Sequence, residues 1–176
     1  MDFQIEKDVE YDFYPYEHPF DNAWRIELGG GQFYYIYKDH EPFLMIQAPT
    51  FYPPEFTDAV IFHDRLVIGS CFCGIFIVDL RGDKQCIGDF RIQNIEIDGY
   101  FGYFALGRDV LYVLGMHHIY AFNSDLHLLW KTATISTDGV TFESMTDDTM
   151  VVSCNYDPME EWFTTEISLK DGKVVK

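Results

Sequence analysis

Short apolar strands separated by turns recur along this chain at a spacing of 44 to 45 residues. The run 109–131 shows the unit most clearly. Asp109 opens the stretch Val110-Leu111-Tyr112-Val113-Leu114, which Gly115 and His117-His118 interrupt. Ile119-Tyr120-Ala121-Phe122 resumes it, Asn123-Ser124-Asp125 turns the chain, and 126–130 runs again. Aromatic and β-branched residues suit a pleated, half-buried surface, while Gly, Asn and Asp reverse the chain. Matching positions lie one period away. Gly74-Ile75-Phe76-Ile77-Val78-Asp79-Leu80 matches His118-Ile119-Tyr120-Ala121-Phe122-Asn123-Ser124 at an offset of 44, and Asp64-Arg65-Leu66 matches Asp109-Val110-Leu111 at 45. Val78-Asp79-Leu80 with Lys84 matches Ile167-Ser168-Leu169 with Lys173 at 89, close to two periods. A period of this length holding about four short strands predicts an all-β fold of repeated antiparallel units.

Dividing 176 residues by 44 gives four units, the first degenerate. Its strands are expected at 24–28, where Trp24-Arg25-Ile26-Glu27-Leu28 alternates with period two, and at 32–37 and 42–46. The second unit predicts strands at 59–62, 65–68, 74–80 and 85–90, the third at 100–106, 110–114, 118–122 and 126–130. The fourth predicts 140–145, 150–155 and 162–169, with Val174-Val175 after the Lys170-Asp171-Gly172 turn. Gly29-Gly30-Gly31 reads as a hairpin turn, because a strand follows it where a phosphate-binding loop opens a helix. Over 57–176 the units resemble blades of quinoprotein-type and related β-propellers in their order of aromatic strand, turn and strand, without a Trp-Asp or Gly-His signature. The resemblance implies a small or partial propeller-like fold; a β-sandwich is the alternative. A single domain over 1–176 is expected, with 1–21 as an acidic, aromatic N-terminal arm.

Charge narrows the partners. Twenty-nine acids against 12 Lys and Arg give a net charge of -17 and a pI of 4.4. Such a surface repels nucleic-acid phosphates and anionic membranes, and it attracts basic proteins and speeds their encounter. The N-terminal Met1-Asp2-Phe3-Gln4-Ile5-Glu6 has neither the basic nor the apolar region of a signal peptide, and no apolar run is long enough for a membrane helix. Cytoplasmic localisation is therefore expected, with Cys71, Cys73, Cys86 and Cys154 as reduced thiols.

Two segments read as partner-binding. In the arm, Asp12, Tyr14, Tyr16 and Glu17 place aromatic anchors among carboxylates that would steer a basic protein. The loop Asp157-Pro158-Met159-Glu160-Glu161-Trp162 interrupts the last unit, and Asp157, Glu160, Glu161 and Trp162 repeat the same combination. No residues are expected to be catalytic, cofactor-binding or metal-binding. Cys71 and Cys73 would face one side of a strand but lack two further ligands. Neighbours in a strand, such as His117 and His118, face opposite sides. Asp147-Asp148 reads as a turn rather than a carboxylate pair.

The tail Leu128-Leu129-Trp130-Lys131, then Asp138-Gly139-Val140, Asp157-Pro158, Trp162, Ile167-Ser168-Leu169 and Asp171-Gly172-Lys173, resembles small acidic bacterial proteins of the immunity type found in polymorphic toxin systems. That resemblance implies a non-enzymatic cytoplasmic protein that binds and neutralises a basic toxin domain such as a nuclease. Two other readings are a small-ligand or glycan-binding β domain using Trp24, Trp130 or Trp162 as stacking platforms, and a carboxylate-dependent hydrolase.

Overall fold

The computed structural model describes residues 2–8, 22–29, 31–49, 58–70, 74–156 and 161–176. These form fifteen strands in four sheets and one short 3₁₀ turn. The chain divides into two compact units, Met1–Ser70 with Ile75–Ile95, and Cys71–Gly74 with Glu96–Lys176.

In the first unit, β1 (Phe3–Asp8), β2 (Trp24–Glu27), β3 (Gly31–Lys38) and β4 (Glu41–Pro49) form a sheet in the order β1-β3-β4-β2. Alternation in β3 sends Tyr34 and Ile36 inward, and in β4 Leu44, Ile46 and Ala48. The β3–β4 hairpin closes through Asp39 (φ 51°) and His40 (φ 70°), both in the left-handed region. Two central residues of positive φ match the twist of the flanking strands. That tight turn gives β4 one edge of β3, and β1 takes the other, from Phe3↔Lys38 to Asp8↔Phe33. The hairpin expected at the triple glycine therefore does not form. β2 instead runs parallel to β4, from Trp24↔Leu44 to Glu27↔Gln47. Gly29 lets the chain cross there, since a Cβ on it would sit 2.7 Å from the Pro49 ring.

The second sheet, β5 (Asp58–Phe62), β6 (Arg65–Ser70), β7 (Gly74–Asp79) and β8 (Ile92–Ile95), is a plain meander. Its first turn again uses two positive φ values, His63 (47°) and Asp64 (55°). The fourth strand lies later than the 85–90 expected. The Asp89 carboxylate accepts the N–H groups of Gln85 (2.7 Å) and Cys86 (3.0 Å), which winds Ile87–Asp89 into the 3₁₀ turn. Phe90 is then buried against Trp24 and Phe43, with ring centroids 6.2 and 5.9 Å away. Leu66, Ile68, Val78 and Leu80 share one core with Tyr34, Ile36, Leu44 and Ile46. Each such aliphatic side chain contributes about 1.5–3 kcal/mol on burial.

The second unit holds β9 (Phe101–Leu106), β10 (Val110–Gly115), β11 (Ile119–Asn123) and β12 (Leu128–Lys131) in one meander, and β13 (Val140–Met145), β14 (Thr149–Cys154) and β15 (Phe163–Ser168) in another. Leu114, Ile119, Ala121, Met150, Val152, Cys154 and Ile167 build its core. The expected strand at Val174-Val175 is reduced to one bridge, Ile167↔Val174.

The sequence period is visible in burial and in turns. β6 and β10 start 45 residues apart and share the same burial pattern, with Leu66 and Leu111 wholly enclosed. Ile75 and Ile119, 44 apart, are also enclosed, as are Val78 and Ile167, 89 apart. At the end of β7 the Asp79 Oδ1 accepts the Arg81 N–H at 3.0 Å. At the end of β11 the Asn123 Oδ1 accepts the Asp125 N–H at 3.0 Å. A short polar side chain mimicking a backbone turn thus stands at equivalent positions.

Candidate interaction surface

The start of β15 carries an exposed aromatic group. Thr137 Oγ1 donates to the Tyr156 carbonyl, and Ser136 Oγ accepts the Asn155 N–H at 3.0 Å, so the end of β14 is tied to the 136–139 turn. From there the Tyr156 ring stacks on Phe163, centroids 5.3 Å apart and planes 13° apart. Both rings are open to solvent, Tyr156 at 52% and Phe163 at 38%. Trp162 is 47% exposed, so it is not drawn into the core. Its ring edge lies 3.9 Å from where a Cβ would stand on Gly139 (φ 111°), and the Tyr100 hydroxyl, which donates to the Asp138 carbonyl at 2.9 Å, lies 2.9 Å from the same point. The turn is therefore shaped around Tyr100 and Trp162.

Of the residues expected to bind a partner, Glu161 and Trp162 belong to this surface, both exposed. Asp157 and Glu160, and Asp12, Tyr14, Tyr16 and Glu17 of the arm, lie outside the described residues. Sequence reasoning missed Tyr156 and Phe163. The signal available was their position, immediately flanking the acidic loop on both sides.

His117 and His118 act on the backbone. His117 Nδ1 is 3.1 Å from the Ser136 carbonyl and His118 Nδ1 is 3.1 Å from the Thr132 carbonyl. They pin the connection after β12 to the β10–β11 turn, together with the Thr132 Oγ1 that accepts the Ile119 N–H at 3.0 Å. His118 Nε2 faces Asp98 Oδ2 at 3.4 Å, and Lys131 Nζ bonds the same carboxylate. The Lys131 hydrogen bond holds the Asp98 carboxyl below its usual range, and Asp98 in turn raises Lys131. Burial pushes the neighbouring Tyr120 phenol up. Asp98 thus ties His118 and Lys131 together beside Tyr120.

A second charged site is an open cleft of ≈ 560 Å³ lined by Asp79, Arg81, Gly82, Asp83, Lys84, Gly88, Asp89 and Arg91. Arg81 grips Asp79 through Nε at 2.9 Å and a second nitrogen at 2.6 Å, which brings that carboxyl down to about 2. Asp89 is lowered by the Gln85 and Cys86 N–H groups. A glycosidase acid needs the opposite environment, one that keeps a carboxyl protonated near neutrality. Among the described residues no group of three or more His, Cys, Asp and Glu is arranged to hold a metal ion, and no helix is long and apolar enough to cross a membrane.

No protein-family profile matches this chain, and no curated protein matches it. Among solved structures, the crystal structure of the computationally designed Ika4 protein is similar, with a TM-score of 0.50 and 8% identity over 67% of this chain and 68% of that chain. At that identity the likeness concerns the fold alone.

Proposed function

We propose that this chain is a non-enzymatic cytoplasmic binding protein that captures a basic protein, in the manner of an immunity protein that neutralises a bacterial toxin such as a nuclease. The observation that carries the reading is the exposed Tyr156, Trp162 and Phe163 group beside Glu161, on a chain of net charge -17. Aromatic residues anchor tight protein interfaces, and a strong field of one sign accelerates the encounter with a partner of the other. The four sheets are read as blades of a small propeller, supported by the 44 to 45 residue period and the shared turn at Asp79 and Asn123. A crystal structure showing two face-to-face sheets would replace the propeller with a sandwich.

The functional test is co-expression with the product of the adjacent gene, followed by association kinetics at several salt concentrations. A stable complex is expected, with an on-rate that falls steeply as salt rises. Trp162→Ala should weaken it by about 2 kcal/mol or more, the cost of losing an interface anchor. A free, monomeric chain that gives no protection from the toxicity of that product would refute the reading. The stacked, nearly parallel Tyr156 and Phe163 rings also suit a sugar face. Binding to a glycan array, insensitive to salt and without a protein partner, would favour that second reading.

A further inference from the structure

We propose that the cleft in the β7–β8 connection binds a small hydroxylated phosphate monoester, with Arg91 and Lys84 on the phosphate and Asp83 on a hydroxyl. This does not depend on how the aromatic surface at Tyr156 and Trp162 is read. Three of the chain's 12 basic residues, Arg81, Lys84 and Arg91, line this one cleft. Strand pairing and turn chemistry gather them. Val78 pairs with Ile92, and the Asp79 N–H donates to the Arg91 carbonyl at 3.0 Å, which sets Arg91 across from Asp79. The turn after Asp79 brings Arg81 onto the same carboxylate. The bonds from Gln85 and Cys86 to Asp89 then fold the loop so that Lys84 Nζ donates to the Asp89 carbonyl at 3.1 Å.

Six charged side chains line the cleft, and three of them are matched within it. Asp79 accepts the Arg81 backbone N–H, Nε and a terminal nitrogen, so that pair is complete. The Asp89 carboxylate is taken by the Gln85 and Cys86 amides. The other three are not matched. Lys84 spends one of three ammonium hydrogens on a neutral carbonyl and lies 5.1 Å from the centre of the Phe90 ring, so it is held in place with hydrogens to spare. Arg91 is exposed, and its guanidinium has no hydrogen bond or ion pair among the described residues. The Asp83 carboxylate has none there either.

Two cations and one carboxylate define the ligand. A guanidinium pairs with phosphate oxygens through two parallel bonds, and an ammonium adds a point charge, so a dianion answers Arg91 and Lys84 together. Asp83, an acceptor only, repels the phosphate and takes a hydroxyl of the same molecule. Every lining residue is charged or glycine, which offers nothing to an apolar ligand. The volume of ≈ 560 Å³ falls within the range of small-ligand sites, about 300–1,000 Å³. A Cβ on Gly82 (φ 77°) would meet nothing within 4 Å, so the cleft is open on that side. The net charge of -17 repels a dianion at long range, so these contacts alone have to hold it, and phosphate adhesion elsewhere on the surface is suppressed.

The test is an NMR titration of the full chain with glycerol 3-phosphate, inorganic phosphate and glycerol at constant ionic strength. Glycerol 3-phosphate should shift the amides of Gly82, Lys84 and Arg91 and saturate below about 10 mM. Inorganic phosphate should shift the same amides about five-fold more weakly, for want of the hydroxyl on Asp83, and glycerol should shift none. Arg91→Ala should weaken glycerol 3-phosphate about ten-fold or more, the loss of a charge-assisted pair. Arg25→Ala, which removes an exposed arginine paired with Glu27, should leave binding unchanged. Asp83→Ala should erase the preference for the ester over inorganic phosphate. The absence of a saturable shift, shifts that persist in Arg91→Ala, or shifts centred on Lys170 and Lys173 would overturn the site. Equal binding of inorganic phosphate and the ester to the natural chain would overturn the monoester assignment.

Discussion

His40 holds a φ of 70° on an exposed turn, in a region that non-glycine residues enter at a cost. Its neighbour Asp39 has a further task, accepting the Asp2 N–H through Oδ1 at 3.1 Å. His40→Gly should therefore raise stability by about 0.5–1 kcal/mol in urea unfolding, and Asp39→Gly should gain less. Gly172 makes the reverse case. At φ 69° its missing Cβ would stand 2.5 Å from the Trp130 ring, whose Nε1 donates to the Leu169 carbonyl at 3.0 Å. Gly172→Ala should cost roughly 1–3 kcal/mol, because the ring has to leave its hydrogen bond or the turn has to open. Cys154 is wholly buried, and burial pushes its thiol up from 9.0 to about 11. The unfolded chain releases that proton first, so between those two values rising pH favours unfolding. At neutral pH a thiol reagent followed by mass spectrometry should label exposed Cys86 and leave Cys154 unmodified until denaturant is added.

The turns that end β7 and β11 are the elements through which the repeat acts. Asn123 Oδ1 accepts both the Asp125 N–H at 3.0 Å and the His127 N–H at 2.9 Å, and sets where β12 begins. Asn123→Ala removes the acceptor from two amides and should cost about 1–2 kcal/mol, read from thermal or urea unfolding. At the equivalent turn the hydrogen bonds from Arg81 hold the Asp79 carboxyl at about 2, against an ordinary 3.8. The folded state therefore gains from this carboxylate above 3.8 and loses that gain as pH falls toward 2. Unfolding of the natural chain and of Arg81→Ala should differ at about pH 5 and converge near pH 2. These two turns also show what one element does to the next. Asn123 leads straight into β12, whereas after Asp79 the chain winds through Ile87–Asp89 and buries Phe90 before β8 starts. The expected strand at 85–90 failed because strand composition does not show that Asp89 finds two amide partners four and three residues back.

For the whole molecule, 29 acids against 12 basic residues dominate long-range behaviour. Self-repulsion opposes compactness and salt screens it, so thermal stability should rise between low and moderate ionic strength while the on-rate of the basic partner proposed above falls. The same salt titration thus moves stability and association in opposite directions, which a loss of folding would not do.

Much of this architecture was legible in the chain. The composition of 109–131 announced β10, β11 and β12, and the offsets of 44, 45 and 89 matched buried residues to buried residues: Leu66 to Leu111, Ile75 to Ile119, Val78 to Ile167. Periodicity and turn chemistry are local, so sequence carries them. Trp162 and Glu161 were also visible as an aromatic residue beside a charge, and both are exposed. Strand neighbours were another matter. Which edge of β4 takes β2, and why β3 is already occupied by β1, depend on competition among strands far apart in sequence. The stack of Tyr156 on Phe163 and the backbone ties of His117 and His118 arise in the same way. Alternation alone says that a residue faces one side or the other; only the pairing of β14 with β15 and the bonds to 173–176 decide which side meets solvent.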